Sequence, residues 1–199
     1  REMTAKAGQK CTAIRRVLIP ENKVQVVSEK LTARLAKVSI GDPHLETVRM
    51  GALASHAQKE DVLAQLKTLL KSSQVVCGHD DIVEYLGEGS ELGAFVQPTL
   101  LLSNDPDAEG GAHDIEAFGP ISTLMPYKNI DHAIALAARG KGSLVTTLVT
   151  QDPDIARQVV PALAAWHGRV HILNEASSKE STGHGSPLPM LKHGGPGRA

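Results

Sequence analysis

The chain has 199 residues, 41% hydrophobic and 22% charged, which is long enough for one sizeable core and ordinary for a globular protein. A formal net charge of −1 and only 3% aromatics argue against nucleic acid or an anionic membrane surface as partner. Two cysteines make no disulfide framework, so a reducing cytoplasm is the expected compartment, and no apolar run approaches the ~18 residues of a membrane span.

In chain order, residues 16–19 (RVLI) read as a short strand, with Pro20 behind them as a first helical residue. Val24, Val27, Leu31, Leu35 and Val38 then recur at helical spacing and give one apolar stripe. Ser55 followed by Gln58 has the form of a capping box, with Val62, Leu66, Leu69 and Leu70 as the buried face behind it. Strands are predicted at 74–77, 95–102, 121–127, 144–149 and 169–173, each an apolar or β-branched run bounded by turn residues. Helices are predicted near 129–139 and 152–166; Asp152 and Pro153 form a good start to the second, and Pro161 should kink or split it. Strand, helix, strand, helix, strand over 121–173 is the pattern of a mostly parallel sheet flanked by helices, so the fold class is α/β. Residues 1–174 form that α/β domain. Residues 175–199 are rich in Gly, Pro, Ser and His, and read either as a surface tail or as a loop lining a site.

The stretch AGQKCTAIRR (7–16) sets Cys11 after a glycine and before two arginines. A nucleophilic thiol needs access, nearby positive charge and backbone donors. Gly8 allows close backbone approach, and a helix beginning near Cys11 would aim its amides at the sulfur and at an oxyanion formed there. The plain alternative is a small buried residue beside a turn. Cys77, inside QVVC, reads as core. A second candidate is DIEAFGP (114–120), where Glu116 could take a ribose diol and Phe118 a flat heterocycle; the plain alternative is a solvated Glu and an anchoring Phe. His167 and His171, and His184 and His193 in the tail, have no zinc-site spacing, so no metal is expected. No GxGxxG opens a helix after a strand, and the closing HGGPGR lacks that context.

Taken together these segments resemble the aldehyde dehydrogenase superfamily. GQKC with Arg16 behind it is similar to that family's nucleophile segment, and EAFGP to its Glu-x-Phe-Gly-Pro cofactor motif. The likeness continues through GDP at Gly41, QPTLL at Gln97, GSLVTTLVTQD at Gly142, GRVHILN ending at Asn174, and GPGR. Within the superfamily, EMTAKAGQKCTAIRR and HGSPLPMLKHGGPGR look like the dehydrogenase half of bacterial bifunctional hydrolase/semialdehyde dehydrogenases of aromatic-acid catabolism, phenylacetate degradation above all.

The resemblance implies that Cys11 adds to an aldehyde to give a thiohemiacetal, and that hydride then leaves for NAD or NADP, with a slight lean to NADP. The thioester left on Cys11 is hydrolysed. It gives Glu116 the nicotinamide ribose and Phe118 the ring, and places Asn174, Glu175 and Ser177 near the substrate, a small aldehyde that is CoA-linked in the branch just described. It also implies a homo-oligomer. Ala117 stands where a larger apolar residue is usual, loosening packing, and PLPM (187–190) replaces the usual Pro-Phe-Gly-Gly. Because the family's dinucleotide domain and general-base Glu lie N-terminal to the nucleophile, the resemblance makes this chain a portion of a longer enzyme, with little dehydrogenase activity alone. Two other readings stand beside it: CoA in place of water as the acceptor of the thioester, and a non-catalytic α/β binding module.

Overall fold

The segment after Cys11 runs straight into strand β1 (Arg16–Pro20), and a 3-10 turn at Glu21–Lys23 leads on to helix α1 (Val24–Leu35). Pro20 ends the strand and does not open the helix: its backbone, at φ −54° and ψ 134°, is extended. The computed structural model describes residues 1–79, 84–88 and 92–179. They fall into two compact units, Arg1–Pro126 and Tyr127–Ala199.

In the first unit, Val27, Leu31 and Leu35 of α1 pack on Ile19, Leu100 and Leu124, as the apolar stripe predicts. Val38, beyond the helix end, joins the other core. Helix α2 (His56–Leu69) starts at Ser55, whose hydroxyl accepts from the Gln58 N–H at 3.2 Å. Such a cap is worth about 1 kcal/mol. Gln58 does not close the predicted box; its side-chain oxygen accepts instead from Gln9 Nε2 at 3.1 Å. Val62, Leu66 and Leu69 of α2 are buried among Phe95, Val96, Leu101 and Ile121.

Between these helices lies a four-stranded sheet in the order β1-β4-β3-β2, with β2 at Ser73–Cys77, β3 at Thr99–Ser103 and β4 at Ile121–Tyr127. Strands β3 and β4 are parallel, with Thr99 opposite Ile121; β2 runs antiparallel to β3, with an irregularity between Val75 and Cys77. Leu100 and Leu101 are 1% and 0% exposed although they point to opposite faces, because each face has its own core. Leu100 meets the α1 core and Leu101 the α2 core. Strand β3 begins later than predicted. Phe95 turns to stack on Tyr85, ring centroids 5.0 Å apart, and Pro98 has no N–H to give a ladder. Cys77 is half-buried against the α1 core; it and Cys11 are both free thiols.

The second unit contains helix α3 (Ile130–Ala138) and a right-ordered βαβ sequence: β5 (Ser143–Val149), α4 (Pro153–Leu163) and β6 (His167–Leu173), with β5 and β6 parallel. Asn129 caps α3 through the His132 N–H at 2.9 Å, and Asp152 caps α4 through the Asp154 N–H at 2.8 Å. Gln158 Nε2 on α4 donates to Asp131 Oδ1 on α3 at 2.9 Å. The predicted split at Pro161 does not occur. The helix passes through it and ends at Leu163, since the bond Pro cannot donate falls in the last turn. Trp166 lies in the turn that follows. The fold class is α/β, as the sequence predicts. Residues 180–199, with PLPM, HGGPGR, His184 and His193, lie outside the described residues. No described helix is long and apolar enough to cross a membrane.

The GDP turn makes a close backbone approach in the first unit: a Cβ on Gly41 would sit 2.1 Å from the Leu86 carbonyl oxygen. Beside it, the Asp42 carboxylate accepts the His44 N–H at 3.0 Å and lies 2.7 Å from His44 Nδ1. The backbone bond first, and the imidazole second, hold the Asp42 carboxyl below its ordinary range. A lowered folded-state value stabilises the fold above the ordinary aspartate range, and that contribution is lost as pH falls through the lowered value. Asp42→Ala should therefore lower Tm at neutral pH, with the difference shrinking between about pH 5 and pH 2. Thermal melts of both proteins across that range check it.

Candidate active site

Two segments more than a hundred residues apart meet backbone to backbone. Before Cys11 the chain makes a left-handed turn, with Lys6 and Ala7 both at φ 53° and Gly8 at φ 72°. Ala7 and Gly8 are buried. A Cβ on Gly8 would lie 2.1 Å from the Gly119 carbonyl oxygen and 2.6 Å from Pro120 N, and one on Gly119 would lie 2.7 Å from Val62 Cγ1. Gly8, Gly119 and the α2 side chain Val62 are thus stacked with no room for a side chain on either glycine. Behind the contact, Arg15 O accepts from Thr123 N at 2.7 Å and Ser122 Oγ donates to Ile14 O, which sews the thiol segment to β4. On the other side, Gln9 Oε1 accepts from Ala54 N at 2.8 Å and ties the loop to the start of α2.

Cys11 is exposed at the tip of this loop. No helix begins there, contrary to the sequence expectation. The left-handed turn at Lys6–Gly8 and the early start of β1 leave only a tight turn, in which Lys10 N donates to Gly8 O at 2.9 Å and Ala13 N to Lys10 O at 2.9 Å. Among the described residues nothing accepts from the Cys11 N–H. The positive charge comes from Lys10, paired with Glu2 at 3.2 Å, and from Arg15.

Arg15, to which the sequence assigned no role, contacts both segments. Its Nη2 donates to Gly8 O and its Nη1 to Ala13 O, each at 3.3 Å, so one guanidinium spans the loop that carries Cys11. Its Nε lies 3.1 Å from Glu116 Oε1, and its Cζ sits 5.0 Å from the centre of the Phe118 ring. The Nε–H does not point at the carboxylate, so this contact is an ion pair and not an aligned hydrogen bond. Burial pulls the Arg15 pKa below its ordinary value, while the Glu116 carboxylate pushes back. The group stays cationic.

Glu116 is 62% exposed on its side chain, so Arg15 holds one oxygen and leaves the rest of the carboxylate to solvent or a ligand. Ala117, in contrast, is buried, and a cavity of about 10 Å³ lies beside it, lined by Arg15, Ile115 and Thr123 among others. The room left by the small residue is one water's worth at most. Arg16, on the opposite face of the strand, reaches His113 Nδ1 at 3.1 Å, and His113 Nε2 meets Pro106 O at 2.8 Å. A carbonyl can only accept, so the His113 proton is on Nε2 and Nδ1 accepts from Arg16.

The first unit therefore brings Cys11, Glu116 and Phe118 together. The other residues singled out, Asn174, Glu175 and Ser177, follow β6 in the second unit. There Asn174 Oδ1 accepts from Ser177 N at 2.8 Å and Ser177 Oγ accepts from Asn174 N at 3.0 Å, so the two close a turn on each other. Glu175 is exposed, and its carbonyl accepts from Ser178 Oγ at 2.7 Å.

The model of the "Aldehyde dehydrogenase family" matches residues 1–186. The chain belongs to the aldehyde dehydrogenase family. It is 41% identical over 98% of its length to a 3,4-dehydroadipyl-CoA semialdehyde dehydrogenase of Aromatoleum evansii, and 50% identical over 75% of its length to protein MaoC of Klebsiella aerogenes. It spans only 38% and 43% of those relatives. Among solved structures it is similar to a C291A variant of aldehyde dehydrogenase C from Pseudomonas syringae, complexed with NAD+ and octanal, at 28% identity and TM-score 0.72 over 86% of this chain and 34% of that one. The apo betaine aldehyde dehydrogenase of Staphylococcus aureus shares the fold at TM-score 0.74 and 21% identity, with coverage of 86% and 34%. The α/β arrangement of this family member is thus the aldehyde dehydrogenase fold, and the Gly8–Gly119 contact is what seats its thiol loop.

Two measurements follow from this geometry. Gly8→Ala must find space for a Cβ against the Gly119 carbonyl and hold a left-handed backbone, and should cost at least ~2 kcal/mol in denaturant unfolding. Iodoacetamide should label exposed Cys11 at least ~10-fold faster than Cys77 in the folded chain, and the two at similar rates in denaturant, read by peptide mass spectrometry.

Proposed function

We propose that the polypeptide carrying this chain oxidises an aldehyde to its carboxylic acid, with Cys11 as nucleophile and a nicotinamide dinucleotide as hydride acceptor. The observation that carries this reading is the exposed, free thiol on a loop seated directly against the backbone of Glu-Ala-Phe-Gly-Pro, with Glu116 and Phe118 next to it through Arg15. A sulfur that forms a bond to the aldehyde carbon leaves an oxyanion, and the unclaimed Cys11 N–H is one donor available to it.

The Glu116–Phe118 pair fits a nicotinamide ribose: a mostly exposed carboxylate with acceptor sites to spare beside an aromatic face. Bound NAD or NADP would supply the acceptor for the hydride that leaves the tetrahedral carbon. The chain's own part is to present the thiol, keep the adduct carbon near Glu116 and Phe118, and hold the resulting thioester on Cys11 until water cleaves it and the thiol is restored. The first-mentioned relative's name speaks of a CoA-linked semialdehyde. Together with the sequence likeness to aromatic-acid-degrading enzymes, that supports an acyl-CoA-linked aldehyde as substrate class for this protein as well.

The test is Cys11→Ala in the polypeptide that carries this chain. Aldehyde-dependent formation of NADH or NADPH should fall by more than ~10³-fold, and the Cys11 peptide of the wild type should carry an acyl adduct after acid quench. Persistent turnover in the variant would rule out Cys11 as nucleophile.

A further inference from the structure

Of the two arginines that follow the thiol, Arg15 touches both parts of the proposed site. Its guanidinium bonds the carbonyls of Gly8 and Ala13, on either side of Cys11, and pairs with Glu116 while lying over Phe118. Its side chain is 15% exposed, against 62% for Glu116.

We infer that Arg15 is a positioning residue that fixes the Cys11 loop and the Glu116 carboxylate in one register. A planar fork with fixed N–H directions can hold two carbonyls and a carboxylate at once, whereas a lysine ammonium on the same stem is a single point. The inference rests on the reading that Glu116 binds the dinucleotide and Cys11 takes the aldehyde. Arg15 acts on the first through the ion pair and on the second through the loop carbonyls. Arg16, turned to His113, holds the segment before Glu116.

The experiment is a double-mutant cycle in the full polypeptide carrying this chain, with octanal as aldehyde probe and NAD+ and NADP+ measured separately. Arg15→Gln should raise the dinucleotide KM about 10-fold, and Arg15→Lys, which keeps a charge for Glu116, should recover part of it. In a Glu116→Gln background, Arg15→Gln should add less than ~2-fold to KM, because its partner is already gone. Effects on KM that multiply in the double variant, or an unchanged KM in a folded Arg15→Gln protein, would overturn the inference. Hydrogen exchange on the same full polypeptide gives a readout that needs no turnover. Arg15→Gln should speed exchange in residues 8–13 and 115–119 together, and Glu116→Gln only in the latter; unchanged exchange in both segments also overturns it. If the wild type shows no aldehyde oxidation, or Cys11→Ala keeps it, the proposed function fails, and the exchange result still decides whether Arg15 joins the two segments.

Discussion

Everything about the candidate site depends on two glycines that leave no room for a Cβ. Gly8 and Gly119 belong to segments that are distant in the chain, and the Gly119 carbonyl occupies the space that a side chain on Gly8 would need. Backbone contact this close fixes relative position far more sharply than side-chain packing, because a carbonyl has no rotamers with which to yield. Gly119 in turn rests on Val62, a fully buried residue of α2. The thiol loop is thus referenced to the helix through the Glu-Ala-Phe-Gly-Pro segment, and Gln58 of α2 and Ala54 just before it both engage Gln9. A cap on a helix and the attitude of the thiol-bearing loop become one local structure.

Much of this was legible in the sequence because it depends on residue type and short spacing. The Ser55 and Asp152 caps sit where the polar-then-apolar pattern puts them, and the α1 stripe packs Val27, Leu31 and Leu35 on the core as its period requires. The glycine in GQKC announced a close approach, although not its partner. What could not be read was settled by tertiary contacts. Phe95 has a strand-former's character, yet it stacks on Tyr85 before β3 begins. A helix at Cys11 was a reasonable expectation from its neighbours, but two non-glycine residues adopt a left-handed backbone just upstream, and no propensity scale predicts that. The antiparallel course of β2 is likewise a matter of topology.

The choice between Arg15 and Arg16 shows the limit most clearly. Adjacent residues at the start of a strand point to opposite faces, so one of the two meets Glu116 and the other His113. Family likeness drew the eye to Arg16, five positions after the thiol. Which arginine faces which way depends on the phase of β1 against β4, fixed by the bond from Thr123 N to Arg15 O. A shift by one residue would exchange their roles. That register is a long-range fact and leaves no mark in a ten-residue window.

The unequal exposure of the Arg15–Glu116 pair bears on how such a site can combine rigidity with binding. A fully buried pair would fix the carboxylate but surrender its capacity for a ligand, and desolvation would oppose ionisation of both partners. A fully exposed pair would be screened and worth little. Here the cation is mostly buried, and burial lowers its pKa, while the carboxylate faces outward with acceptor sites to spare. The two carbonyl bonds at Gly8 and Ala13 hold the guanidinium independently of Glu116. An arrangement of this kind anchors the charge on the rigid side of the pair and leaves the adaptable side free.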